Sequence, residues 1–242
     1  MNFFKDDPRT AYEAKVEAQR IAFAPVMFQA CRILRDAGIL ELLQQSRAAG
    51  MTLNEVVAKI NLPRYGIKVL MESGLGIGLC CLNDDRYTLT KLGYFMFRDP
   101  MTRVNMDVVH EICYRGMFDL DKAIAEGKPT GLQTLGDWKT FYEGLSSLPP
   151  KARDSWLAFD HYYSDAAFPA ALPWVFADQP KRLLDVGGNT GKWAVACAKF
   201  NAAVQITIAI LNNISRSTRL EIQNPGFNFR FALAARNHIT FK

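Results

Sequence analysis

The stretch Leu183-Leu184-Asp185-Val186-Gly187-Gly188-Asn189-Thr190-Gly191-Lys192-Trp193 joins the residue types that grip a nucleotide-type ligand. A short apolar run ends in an acid, a glycine-rich turn follows, and a helical pattern begins. Gly187 permits a tight turn, Gly188 lets the backbone approach a ligand, and Gly191 lets the helix pack close to the strand. Asn189 stands where a third consecutive glycine could be, and asparagine tolerates positive φ better than most side chains. The plain alternative is a strand-to-helix turn without a ligand. A second constellation lies just upstream, at Phe159-Asp160-His161-Tyr162-Tyr163. It sets polar tips among rings, so Phe159, Asp160, Tyr162 and Tyr163 are candidates to line a pocket for a flat organic substrate. Helix packing is the competing explanation for those rings.

These groups need elements to hold them. Lys181 to Val186 reads as a short buried strand, and a helix carrying Trp193, Val195, Ala196 and Phe200 follows the glycines. Asn201 to Ile208 reads as a turn and second strand. Residues 92–178 read as mostly helical, punctuated by glycines and by Leu148-Pro149-Pro150. Further upstream, residues 11–46 show Ile21, Val26, Met27, Ile33, Leu34, Leu40 and Leu43 at mostly helical spacing. Pro25 divides that stretch, and Gly38 ends a helix by taking the left-handed capping conformation. Thr52-Leu53-Asn54-Glu55 is a capping box that opens a short helix to about Ile60. After the break at Pro63, a helix runs from about Arg64 to Ser73 with Ile67, Leu70 and Met71 inward, and Gly74 to Gly78 ends it. Leu79–Leu82 and Arg86–Leu89 read as two strands around a tight turn. Three helices and a hairpin make a winged-helix arrangement.

The totals narrow the classes. The chain has 242 residues, of which 49% are hydrophobic, enough to bury a substantial core. No apolar run is long enough to span a bilayer, and the start lacks the pattern of a secretory signal. None of the five cysteines forms a C-x-x-C pair, and the three histidines do not cluster with them. That argues against a metal site and for reduced thiols in the cytoplasm. The net charge of +5 raises the question of nucleic acid, yet from Val186 onward there are seven basic residues and one acid. The basicity follows a position in the chain, not a fold element. The second helix of the winged-helix pair has only Arg64 and Lys68, opposed by Glu72, so duplex binding is disfavoured.

Leu183 to Gly191 resembles the first motif of the class I S-adenosylmethionine-dependent methyltransferases, and the dimeric small-molecule O-methyltransferases most of all. Met51 to Thr90 is similar in shape to their N-terminal winged-helix dimerisation region, and the aromatic helical segment is similar to their linker. The resemblance implies an α/β fold: a mostly helical, winged-helix-like dimerisation domain (1–100), a helical linker and substrate-pocket segment (101–178), and an incomplete Rossmann-like cofactor-binding domain (179–242). It implies S-adenosyl-L-methionine held by Asp185, Gly187, Gly188, Asn189 and Gly191. It also implies a homodimer, a small hydroxylated substrate, and a hydroxyl that attacks the sulfonium methyl.

The sequence departs from that pattern after the second strand. The family places a ribose-binding acid there, but this chain reads Ala209-Ile210-Leu211-Asn212-Asn213, and no Asp or Glu occurs between Val186 and Leu220. Asn212 or Asn213 could accept a ribose hydrogen bond, less strongly than a carboxylate. No catalytic base is identified, and His238 is read as incidental. The expectation is a tail from about residue 209 that differs from the family's continuation, in a shortened and weak or inactive copy. Two other readings stay open: a non-catalytic dimerisation or interaction protein, and a winged-helix DNA-binding protein.

Overall fold

Thr10 and Thr52 open helices in the same way. Each side chain accepts from the backbone N–H three residues on, at Glu13 and Glu55, and each glutamate reaches back to the cap. Two orphan donors are thereby satisfied at each start. The computed structural model describes residues 5–211, 229–235 and 238–241. The chain divides into two units, Met1–Arg103 and Val104–Lys242.

In the first unit α1 (Ala11–Ala22) and α2 (Ala24–Asp36) meet at Phe23, with Pro25 in the first turn of α2, where its missing N–H costs nothing. Gly38, at φ 78°, turns the chain into α3 (Ile39–Ser46). The capping box opens α4 (Leu53–Val57), shorter than the expected run to Ile60. α5 (Arg64–Ile77) differs more from expectation: it passes through Gly74 and Gly76 and stops only at the left-handed Gly78. A Cβ on Gly74 would lie 3.3 Å from Cys80 Sγ and 3.4 Å from a Leu34 methyl, so this glycine serves close packing inside the helix. β1 (Cys80–Asn83) and β2 (Arg86–Leu89) pair antiparallel around Asp84 and Asp85, both at positive φ. α6 (Lys91–Arg98) follows. Leu34, Leu40, Leu43, Ile67 and Met71 are fully buried, whereas Ile21 and Val26 are 67% and 66% exposed.

α7 (Pro100–Val108) runs across the division, and the second unit continues with a π-turn at Val109–Cys113, α8 (Tyr114–Gly116), α9 (Leu120–Glu126), α10 (Phe141–Gly144), α11 (Pro150–Ser164) and α12 (Phe168–Val175). Leu145, Leu148 and Ala152 form a small core with Trp138, Phe141 and Trp156 packed on it. β3 (Arg182–Val186), α13 (Lys192–Phe200) and β4 (Gln205–Leu211) form a parallel strand–helix–strand unit. β5 (Phe229–Ala235) adds in parallel and β6 (His238–Phe241) antiparallel, giving the order β3-β4-β5-β6. Ala194, Cys197 and Ala198 of α13 bury against Ile206, Ile208, Val204 and Phe176.

β3 is not the buried strand that its apolar run suggests. It lies at one edge of the described sheet, and its residues alternate between half-buried and exposed. Leu183 packs on the core beneath α13, while Leu184 and Val186 are 49% and 70% exposed. The period-two alternation of a strand with one covered face explains this.

Candidate functional site

The glycine turn is built from the end of β3. The Gly187 N–H donates to the Ala209 carbonyl of β4 at 2.8 Å, which fixes the point where the chain leaves the sheet. Gly187, Asn189 and Gly191 then take positive φ (76°, 44° and 78°). The Asn189 and Gly191 N–H groups close two tight turns onto the Gly187 and Gly188 carbonyls, both at 2.6 Å. Gly191 caps α13, so the turn delivers the chain directly to a helix start, a place that favours negative charge. The freedom expected of Gly187 and the tolerance expected of Asn189 are both used.

Gly188 has a reason that the sequence did not suggest. A Cβ there would lie 2.5 Å from Asp185 Oδ2 and 2.7 Å from the Ile208 Cγ2 methyl. The missing side chain leaves room for the acid's own carboxyl group. Asp185 Oδ2 is buried and has no hydrogen-bond partner. Burial pushes the carboxyl up from its ordinary value, because the charged form loses its hydration.

The C-terminal part of α11 has two faces. Trp156, Phe159 and Tyr163 form a ladder of rings, with centroids 6.1 Å and 5.0 Å apart along it, and Tyr162 meets Tyr163 edge-on at 5.2 Å. The Tyr163 hydroxyl donates to Asn105 Oδ1 at 3.0 Å. The other face is polar and reaches the glycine turn. Asp160 Oδ2 accepts from Asn189 Nδ2 at 2.6 Å, and His161 Nε2 lies 3.0 Å from Thr190 Oγ1. His161 Nδ1 is 3.1 Å from Asp165 Oδ1, and Lys192 Nζ donates to Asp165 Oδ2 at 2.8 Å. Burial works to raise the Asp165 carboxyl, but hydrogen bonds and charge from Lys192 and His161 outweigh it and hold the group below its ordinary value. A hollow of about 380 Å³ adjoins this network, with Asp165, Thr190 and Lys192 in its wall.

Of the four residues expected to wall a substrate pocket, only Asp160 turns to the glycines. Phe159, Tyr162 and Tyr163 belong to the ring ladder. Sequence reasoning left out Asp165, Thr190 and Lys192. The available signal was His161 and Asp165 at i and i+4, which puts them on one helix face. Asn212 and Asn213, the substitutes considered for a ribose acid, lie outside the described residues, as does most of the tail beyond residue 211.

Residues 15–87 match the Dimerisation2-like domain model. No curated protein sequence matches the chain. Among solved structures it is similar to the S-adenosylmethionine-dependent methyltransferase SibL in its apo form, at 23% identity and a TM-score of 0.60, covering 89% of this chain and 64% of that one. It is similar to the mitomycin 7-O-methyltransferase MmcR at 15% identity and 0.64, again over 89% and 64%. Human N-acetylserotonin methyltransferase in complex with SAM gives 15% identity and 0.62, over 96% and 67%. The chain thus spans about two thirds of the length of these proteins. It carries a Dimerisation2-like domain and has the fold of the class I S-adenosylmethionine-dependent O-methyltransferases.

Proposed function

We propose that the chain binds S-adenosyl-L-methionine at the turn Asp185 to Gly191 and serves methyl transfer to a small hydroxylated molecule. The observation that carries this is the turn itself: positive φ at Gly187, Asn189 and Gly191, a helix start directly after them, and an acid whose buried oxygen has no partner. At the amino-acid end these residues fit the cofactor. Asp185 offers an acceptor suited to an ammonium group, and the turn leads into the start of α13. At the ribose end they do not fit, since the sequence has no carboxylate after β4 until Glu221. When bound, S-adenosylmethionine supplies an electrophilic methyl group. The protein's own part is to hold the turn and to keep the reacting groups in line.

Pairing with a second copy belongs to this reading. Tyr12, Val16, Ile21, Phe23 and Val26 are exposed apolar side chains on α1, its C-cap and the start of α2, and no residue of α1 is buried. All of them but Tyr12 fall within the residues that match the Dimerisation2-like model. Five free cysteines accord with a reducing cytoplasm. Among the described residues no helix is long and apolar enough to cross a membrane. Nucleic acid is not part of the reading. Arg64 is engaged by Asn54 at 2.5 Å and Lys68 by Glu72 at 3.7 Å, so α5 offers little free positive charge.

The missing acid after β4 favours a second reading, a dimerisation protein without catalysis. Titration calorimetry with S-adenosylmethionine and S-adenosylhomocysteine separates the two. Heat of binding that Gly188→Ala abolishes is the expected result. A stable dimer that gives no heat at millimolar ligand overturns the methyl-donor reading and leaves the second.

A further inference from the structure

Asn189 occupies the most demanding position of the turn. At φ 44° it takes a conformation that glycine adopts freely and other residues adopt at a cost. Something must hold it there, and the structure provides a partner. Its side-chain amide donates to Asp160 Oδ2, 29 residues away, over only 2.6 Å. The next residue is held in parallel, with the Thr190 hydroxyl on His161 Nε2 at 3.0 Å. Two successive residues of the turn are therefore gripped by two successive residues of α11. The grip is braced from behind, because Asp165 touches both His161 and Lys192.

We propose that Asp160 is a positioning residue that acts through Asn189: the pair fastens the glycine turn to α11 in the conformation that receives the ligand. A side chain at the third-glycine position is thus used as a handle rather than merely tolerated. The inference rests on the methyl-donor reading for what the turn receives, but the fastening itself is a property of the ligand-free chain. Asp160 touches Asn189 and acts on the ligand only by setting the turn.

A polarity swap tests it. Asn189→Asp keeps a residue that accepts positive φ but sets two carboxylates against each other. Adding Asp160→Asn restores one donor and one acceptor with the roles exchanged. In the ligand-free chain, amide hydrogen exchange over residues 187–192 should speed about tenfold in Asn189→Asp and return to within about twofold of the unaltered rate in the double variant. The affinity for S-adenosylhomocysteine should fall and recover in the same order. A double variant that exchanges as fast as the single one, or a single variant that changes nothing, overturns the proposal. Recovery of exchange without recovery of affinity also overturns it, since the pair would then hold the turn without preparing it. If the unaltered chain takes no S-adenosylhomocysteine, the methyl-donor reading fails, and exchange alone decides whether the pair fastens the turn.

Discussion

Asp185 carries a cost in the folded chain, and the sign of that cost is testable. Its folded carboxyl titrates above its ordinary value because of burial. The carboxyl therefore contributes no penalty while protonated, below the usual carboxylate range, and destabilises once pH rises through the raised folded value. Asp185→Asn should raise the melting temperature at pH 7 by about 2 °C, and the difference should close as pH falls below about 4. A melting temperature difference that does not change with pH would show that charge is not the cause. Gly188→Ala acts at the same spot through space. The added methyl group meets Asp185 and Ile208 and should destabilise by about 1–3 kcal/mol in denaturant melts, with ligand binding lost. Thr190→Val removes the hydroxyl from His161 and should cost about 1 kcal/mol, whereas Thr190→Ser should restore most of it.

At the scale of elements, burial sorts the thiols along the strands and helices. Desolvation pushes Cys31 of α2, Cys80 of β1 and Cys197 of α13 up to about 11, while Cys81, the next residue on β1, faces outward and is exposed. The alternation of a strand puts neighbouring cysteines in opposite environments. Mass spectrometry after brief alkylation at pH 8 should find Cys81 modified first and Cys31, Cys80 and Cys197 protected. Rapid labelling of Cys80 would show that α5 and the hairpin do not stay packed. The same local logic made several elements legible. The capping box at Thr52 and the aspartate pair in the hairpin turn each act on their immediate neighbours, and the structure forms both. The end of α5 was not legible, because Gly74, which resembles a stop, serves close packing against Leu34 and Cys80, and the helix stops only at Gly78.

For the molecule as a whole, the exposed apolar side chains of α1 and the start of α2 set an expectation about assembly. Light scattering should give twice the chain mass, and Ile21→Glu combined with Phe23→Glu should return it to one chain. A chain that stays monomeric before any substitution, or a dimer indifferent to both changes, would remove the proposed pairing. The charge distribution adds a control. The last quarter of the chain holds the positive excess. Retention on duplex that disappears when residues 209–242 are deleted would be a charge effect of that segment and not recognition by the winged helix.

The sequence by itself determined where helices begin, where the hairpin turns, and that an acid and glycines stand between a strand and a helix. Each of these depends on the conformational preferences of a few adjacent residues. It also determined that no carboxylate follows the second strand closely, which needs only a reading of the letters. Tertiary structure decided the rest. Whether an apolar helical position is core or surface depends on what docks against it, and Ile21 and Leu34 differ only in that respect. Gly188 serves Asp185 and Ile208, and Asp160 and His161 face Asn189 and Thr190, because docking brings together residues that lie far apart along the chain. Side-chain spacing along one helix shows which residues share a face, but only the packed fold shows what that face meets.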